Sequence, residues 1–239
     1  MFSILKKELI GFFASAIGYM VMALFLLANG LLLWVFKSDY NIFDAGFADL
    51  NSFFYISPWL FFFLIPAITM RSFVDEKTQG TFELLKTKPI TNWQLVLGKY
   101  FGAFLLIVFA LIPSLIYVYS VNTLANPQGN IDLGPIIGAY IGLLFIASSY
   151  TAIGLLASAL SKNQIVAFLI AVLLCFIMFY GFEALANLEA FKNLSLEYFG
   201  MKYHYNSLAR GILDTRDLIY FFSLSILFLA ITHKIVEKQ

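Results

Sequence analysis

Residues 74–99 read VDEKTQGTFELLKTKPITNWQLVLGK, a polar interval between two strongly apolar stretches of the chain. Gly80 is the residue type that ends a helix in the left-handed conformation, so the helix before it is predicted to stop there. Thr81 can cap a second, short helix, and Glu83 in its first turn faces the positive end of the helix dipole. Pro89 cannot continue that helix and is predicted to follow its end. The interval therefore predicts a helix, a turn and a second helix outside the membrane.

A further helix is marked by Thr91 and Gln94, which have the spacing of a capping box and place its start directly after Thr91. The short helix before it has an apolar side made of Phe82, Leu84 and Leu85. Exposing such side chains is unfavourable unless something covers them. A plain solvated connector is the alternative, but connectors usually have only a few residues. We therefore expect a structured docking element on the cytosolic side.

The composition places the chain in a membrane. Of its 239 residues, 61% are hydrophobic and 12% are charged, whereas soluble domains average about 45–50% apolar and about 25% charged residues. The net charge of +1 provides no basic face for nucleic acid. The single cysteine, Cys175, excludes an internal disulfide and lies in an apolar run, where packing is its expected role.

Six stretches are long and apolar enough to cross a bilayer, which takes about 20 residues. The predicted spans are 17–36, 53–70, 100–124, 133–160, 164–182 and 218–232. We therefore expect an all-α integral membrane protein that forms a single transmembrane domain over residues 1–239. The N-terminal apolar stretch is too long for a signal peptide and lacks a cleavage site, so we expect a retained helix.

The predicted spans carry no Asp, Glu, Lys or Arg in their interiors. Charges inside the membrane usually mark proton relays, ion paths or catalytic groups. Their absence argues against a transporter driven by protons or sodium and against an intramembrane hydrolase. The two histidines, His204 and His233, lie outside the spans and are expected at the surface. Gly98-Lys99 lacks the upstream glycine of a phosphate-binding loop, so powered transport requires a separate ATPase.

The distribution of cations predicts the orientation, because Lys and Arg favour the cytoplasmic side. Ten of the fifteen lie in the N-terminal segment, the 71–99 loop, the short loop at Lys162 and the C-terminal tail. The other five are Lys37 and four residues of the 183–217 loop. Both termini and the 71–99 loop are therefore expected in the cytoplasm.

The N-terminal segment 1–13 alternates polar and apolar residues at helical spacing. Lys6, Lys7 and Glu8 are polar, and aliphatic and aromatic residues occupy another face. This pattern predicts an amphipathic helix at the membrane interface, with both lysines toward the headgroups. A plain positive anchor before the first span would explain the lysines equally well.

Several residues of the 74–99 interval fall in the order found in the coupling loop of ABC-2-type transporter permeases, which the chain resembles. They are Glu76, Gly80, Thr81, Phe82, Glu83, Leu84, Leu85 and Pro89, followed by Gly98-Lys99. In that family the loop lies between the second and third membrane helices and rests on an ATP-hydrolysing subunit. The resemblance therefore implies a cytoplasmic coupling helix on this chain and ABC ATPase subunits that bind ATP and Mg.

The family resemblance extends to the N-terminus and to the assembly. The stretch LKKELIGFFASAIGY at 5–19 is similar to the elbow helix that precedes the first span of ABC-2 permeases. The family also implies a second permease half, either identical or from a sister subunit. No catalytic, cofactor-binding or metal-binding residue is expected on this chain itself.

The fourth predicted span carries Gly134, Gly138 and Gly142 at four-residue steps. Small residues on one helix face let two helix backbones approach closely. We expect this stripe to pack within the chain, and contact with a second permease half is the alternative.

Residues 183–217, before the last span, are too apolar for a free tether. Exposing their side chains to water is unfavourable, so short helices folded onto the outer membrane surface are expected. The charged residues near the end of this loop are Arg210, Asp214, Arg216 and Asp217. We expect Arg210 to pair with Asp214, and Arg216 and Asp217 to anchor the last helix.

The stretch 204–221 is similar to the extracellular element of one ABC-2 subgroup, the permeases of bacterial gliding-motility transporters. Together these features predict the permease subunit of an ATP-driven exporter in the bacterial inner membrane. The alternative from another class is a membrane scaffold of a motility or secretion machine that moves no substrate. An ATP-stimulated transport assay separates the two.

Overall fold

The chain folds into a bundle of helices. The computed structural model describes residues 1–86, 89–188 and 195–238, and these ranges contain no β-strand. The loop cations Lys88 and Lys192 lie outside the described residues. Six helical segments in the described ranges are long and apolar enough to cross a membrane, which confirms the prediction. They are Ala16–Trp34, Asn51–Thr78, Asn92–Leu124, Leu133–Leu160, Gln164–Ala186 and Thr215–Lys238.

Several spans are built from more than one helix, and shorter helices connect them. The helices are α1 Phe2–Ala14, α2 Ala16–Trp34, α3 Ile42–Ala45, α4 Asn51–Thr69, α5 Arg71–Thr78, α6 Thr81–Lys86, α7 Asn92–Leu111, α8 Leu115–Leu124, α9 Leu133–Leu160, α10 Gln164–Phe176, α11 Phe182–Ala186, α12 Met201–Ala209 and α13 Thr215–Lys238. A 3-10 turn at Ile112–Ser114 joins α7 to α8, a π turn at Ile177–Gly181 joins α10 to α11, and a 3-10 turn at Leu196–Phe199 precedes α12.

The fourth span, α9, forms the centre of the bundle. In its most apolar window 78% of the residues are buried, against 28% for α2 and 22% for the segment of α10 and α11. Hydroxyl groups link α9 to two neighbours, because Ser148 shares hydrogen bonds of 2.6 Å with Tyr100 and 3.0 Å with Ser225. These hydroxyl groups therefore connect α7, α9 and α13 in one hydrogen-bonded group.

Successive spans alternate in direction, so the bundle has two ends. One end, which we call the α6 end, carries α1, α5, α6, the start of α7 and the end of α13. The opposite end carries α3, α11 and α12. The two polar regions singled out in the sequence, 71–99 and 183–217, thus lie at different ends of the molecule.

Candidate functional site

The segment that follows α4 leaves the bundle but stays attached to the last turn of α9. The Ser158 hydroxyl accepts a hydrogen bond of 3.0 Å from the Phe73 N–H and donates one of 3.0 Å to the Met70 carbonyl. The ammonium group of Lys77 donates to the carbonyl of Ala159. Helix α5 is thus fixed to the central span α9.

Gly80 turns the chain from α5 into α6. Its φ of +68° lies in the left-handed region that favours glycine, as the sequence predicts. The Thr81 hydroxyl donates a hydrogen bond of 3.3 Å to the carbonyl of Glu76, which closes the turn. The turn and the short helix therefore lie where the sequence places them.

The apolar side of α6 is covered by this chain itself. Phe82 is buried, and its ring centre lies 6.5 Å from that of Phe73 on α5. Leu85 is half-buried against the same core, whereas the side chain of Leu84 lies outside the described residues. The cover that the sequence requires for Phe82 is thus supplied by α5. Glu83 is exposed and presents its carboxylate to the surroundings.

Helix α7 begins after the predicted capping box. The Thr91 hydroxyl accepts from the N–H of Gln94 at 3.2 Å, and the Gln94 side chain accepts from the N–H of Thr91 at 3.3 Å. Pro89 lies in the connection between α6 and α7. In the first turn of α7, Trp93 stacks on the ring of His233 at 4.5 Å between centres, which joins α7 to α13.

A buried ion cluster joins α1, α5 and α7 beside this connection. Lys99 is only 2% exposed. Its ammonium lies 2.9 Å from Glu8 Oε1 and 2.8 Å from Glu76 Oε1, and donates to the Ser72 carbonyl at 2.6 Å. The contacts with Glu8 and with the Ser72 carbonyl are hydrogen bonds, and the contact with Glu76 is an ion pair. Lys7 adds a second cation to Glu76 at 3.1 Å.

The ion cluster was missed by the sequence reasoning. The sequence marks Lys99 only as the last residue of the 74–99 interval, and Glu8 as one of the polar residues of the N-terminal amphipathic helix. A detectable signal was present: lysine at a membrane boundary needs a partner, and glutamates stand at the same boundary in two other segments. The pattern does not say which glutamates approach, because the neighbours of α7 are set by tertiary packing.

Helix α1 reaches the cluster because two glycines leave room on α7. A Cβ added at Gly98 would lie 2.8 Å from the Cβ of Ile4, and one added at Gly102 would lie 2.6 Å from the Cβ of Glu8. Any side chain at these positions would push α1 away. Helix α1 therefore packs directly on α7. Its Lys6 is exposed, as expected of an interfacial helix, whereas Lys7 turns to Glu76.

At the opposite end, the glycine stripe of α9 receives α12. A Cβ at Gly138 would lie 2.2 Å from the carbonyl oxygen of Leu208, and one at Gly142 would lie 2.8 Å from the ring of Tyr205. Gly134 lies beside the turn that follows α12, within 3.0 Å of a Cβ added at Gly211. The glycine stripe thus packs within the chain, and α12 fills the space that the missing side chains leave.

The charged residues before the last span pair differently from the expectation. Asp214 accepts from the N–H of Arg216 at 2.9 Å and caps the start of α13. Within the described ranges no ion pair joins Asp214 to Arg210, so the expected pair is wrong. The reason is local geometry: α12 ends at Ala209 and Gly211 turns with φ of +81°, so the two residues do not share one helical turn.

His204 is buried instead of lying at the surface. Its Nδ1 lies 2.6 Å from the carboxylate of Asp217, and its Nε2 lies 2.8 Å from the carbonyl oxygen of Tyr198. The ring also stacks on Tyr220 at 3.9 Å between centres. Asp217 therefore ties the first turn of α13 to α12. The sequence alone predicts only that Asp217 anchors the start of the last helix.

The α6 end joins several helices of the bundle. Within residues 1–86, 89–188 and 195–238, no group of three or more His, Cys, Asp or Glu side chains is placed to hold a metal ion. The short helix α6 is instead connected through α5 to α9, and through the ion cluster to α1 and α7. The segment that holds α6 is thus attached to the bundle at two places.

Comparison with known proteins supplies the context for this element. A family model described as ABC-2 family transporter protein matches residues 38–232. The match covers the segment from α4 to α7 and the loop before the last span, whereas α1 and α2 precede it. A search among curated proteins gave no significant match.

Proposed function

The chain belongs to the ABC-2 transporter family, and on that premise we propose that it is the transmembrane permease subunit of an ATP-driven exporter. The observation that carries the proposal is the double attachment of the segment holding α6. Ser158 fixes α5 to the central span, and Lys99 joins α5 to α1 and α7. ATP and Mg would bind to a separate ABC ATPase, for which α6 is the coupling helix.

In the proposed mechanism, closure of two ATPase subunits on ATP pushes on α6. Because α5 and α6 are short and firmly attached, they cannot absorb the displacement and transmit it to α9 and α7. Tilting of these spans would then open the permease. The exposed Glu83 would contact the ATPase surface, since a carboxylate in the first turn of a helix can pair with a basic partner group.

The proposed orientation places the α6 end and both termini in the cytoplasm. The supporting observation is that ten of the fifteen Lys and Arg residues belong to segments at that end. The membrane would be the bacterial inner membrane. The loop that holds α12 would then lie on the outer surface, where Lys202 and Glu183, 2.7 Å apart, help to fix it.

The assembly and the subgroup are part of the same proposal. Two permease halves, either identical or from a sister subunit, would join two ATPases. Within the family, the likeness of 204–221 favours the gliding-motility permeases, of which GldF is the named subunit. A scaffold that only transmits force would share the coupling element, so a substrate-transport assay is needed to separate the two functions.

The coupling role is tested by Glu83→Lys. The chain is co-expressed with an ABC ATPase of the same organism, and both co-purification and ATPase activity in proteoliposomes are measured. We expect the variant to insert normally but to lower ATPase recovery and stimulation several-fold, because the reversed charge opposes a basic partner surface. Glu237→Lys is the matched control, since Glu237 is also exposed at the α6 end. Normal binding and stimulation by Glu83→Lys would refute the docking role.

A further inference from the structure

A cavity of about 580 Å³ opens at the α6 end beside the ion cluster. It lies between α1 and α5 and reaches the start of α2 and the end of α4. Its charged wall residues are three cations, Lys7, Arg71 and Lys99, and three carboxylates, Glu8, Asp75 and Glu76. Thr81 and Leu85 of α6 also line it, whereas Glu83, the residue proposed to contact the ATPase, does not.

The wall of the cavity changes character along its length. Ile17 and Ile68 line the part next to the spans, at the first turn of α2 and the last turn of α4. Gln79 and Thr81 line the part that faces away from the spans. A site that is apolar at the membrane boundary and polar beyond it suits an amphiphilic molecule with its polar head outward.

Two cations of the cavity wall are available to an anion. Arg71 is exposed and makes no ion pair or hydrogen bond through its side chain among the described residues. The side chain of Lys7 is 61% exposed and contacts only Glu76 there. A guanidinium matches two oxygens of a phosphate at once, and a nearby ammonium adds a point charge.

The carboxylate of Glu76 indicates that the ligand also carries a hydrogen-bond donor. Its Oε1 contacts Lys7 and Lys99, but its Oε2 is buried without a hydrogen-bond partner among the described residues. A buried acceptor of this kind is costly unless a donor satisfies it. The hydroxyl or ammonium group that headgroups carry beyond their phosphate is such a donor, and the exposed Lys7 can move aside to admit it.

We propose that this cavity binds the headgroup of a phospholipid from the adjacent leaflet. The phosphodiester lies on Arg71 and Lys7, and the acyl chains leave past Ile17 and Ile68 into the bilayer. Basic pockets between membrane helices bind lipid headgroups by this chemistry. The bound lipid would hold α1 against α5 and thereby support the ion cluster from its open side.

The test uses the full chain in detergent and lipids with short acyl chains. Binding of dioctanoyl phosphatidylglycerol, dioctanoyl phosphatidylethanolamine and dioctanoylglycerol, which lacks the phosphate, is measured by native mass spectrometry. We expect both phospholipids to bind more tightly than dioctanoylglycerol. Arg71→Gln should weaken the two phospholipids roughly five- to tenfold and leave dioctanoylglycerol unchanged, because one charge-assisted contact is lost.

Two further variants and one competitor make the result decisive. Lys7→Gln should weaken phospholipid binding in the same way, whereas Arg210→Gln, an exposed cation at the opposite end, should have no effect. Equal binding of lipids with and without phosphate would overturn the proposal, as would unchanged phospholipid binding by both Arg71→Gln and Lys7→Gln. Inorganic phosphate that competes as strongly as the phospholipids would show a free-phosphate site and overturn the lipid assignment.

Discussion

Replacing Lys99 by methionine should be among the most damaging single changes in this chain outside its apolar core. Methionine keeps the length of the side chain but removes the ammonium. Glu8 and Glu76, whose side chains are 14% and 10% exposed, would then face each other without the cation between them. The Ser72 carbonyl would also lose its donor.

The size of the effect follows from the burial of the pair. Removing one partner of a buried ion pair leaves an uncompensated charge and typically costs about 3–5 kcal/mol. We take that range for Lys99→Met, because the Lys99 side chain is 1% exposed and its carboxylate partners are nearly buried. Lys7 offsets part of the charge on Glu76, so the upper limit is not expected. By contrast, exposed ion pairs contribute only about 0–1 kcal/mol.

The assay combines a global and a local measurement. The free energy of unfolding is obtained by denaturant titration in mixed micelles, and hydrogen exchange reports on the amides of α1. Lys6→Met is the matched control, because Lys6 is an exposed lysine on the same helix α1. We expect Lys99→Met to lower the free energy of unfolding by about 3 kcal/mol or more and to speed exchange in α1, with little change in the control.

A double variant keeps the test informative if Lys99→Met folds poorly. Lys99→Met combined with Glu76→Gln removes one charge of each sign, so it should recover part of the lost stability. The reasoning is refuted if Lys99→Met and Lys6→Met have the same free energy of unfolding within about 1 kcal/mol. It is also refuted if the double variant is as unstable as the sum of its two single changes.

Three other predictions concern the topology and the opposite end. Single cysteines at Gln79 and Asn126 in a cysteine-free background should be protected and labelled, respectively, by an impermeant thiol reagent on intact cells; the reverse pattern would invert the proposed orientation. Gly138→Ala should lower the free energy of unfolding by about 1–3 kcal/mol, because its Cβ meets a backbone carbonyl, while Gly11→Ala, with open space around it, should not; equal effects would contradict the close packing of α12 on α9. His204→Ala should speed hydrogen exchange throughout α12, since it leaves the carboxylate on α13 buried without its partner; unchanged exchange would show that this pair does not hold the loop.

The sequence by itself determined the class, the number of spans and the local form of the coupling element. A bilayer requires about 20 consecutive apolar residues for each crossing. Such a stretch can be recognised from the residue types of a short part of the sequence alone. Gly80, Thr91 and Gln94 act within one turn of the chain, so their effects could also be predicted from neighbouring residues alone. The six spans and the start of α7 were therefore predictable.

The tertiary structure alone decided which of these segments meet. Glu8 and Lys99 are 91 residues apart, and Lys7 and Glu76 are 69 apart, yet both pairs belong to one cluster. The contact of Phe82 with Phe73 and the packing of α12 on the glycine stripe also depend on how the helices pack together. Because a helix pattern shows which face is apolar or small but not which neighbour fills it, these partners could be found only in the folded chain.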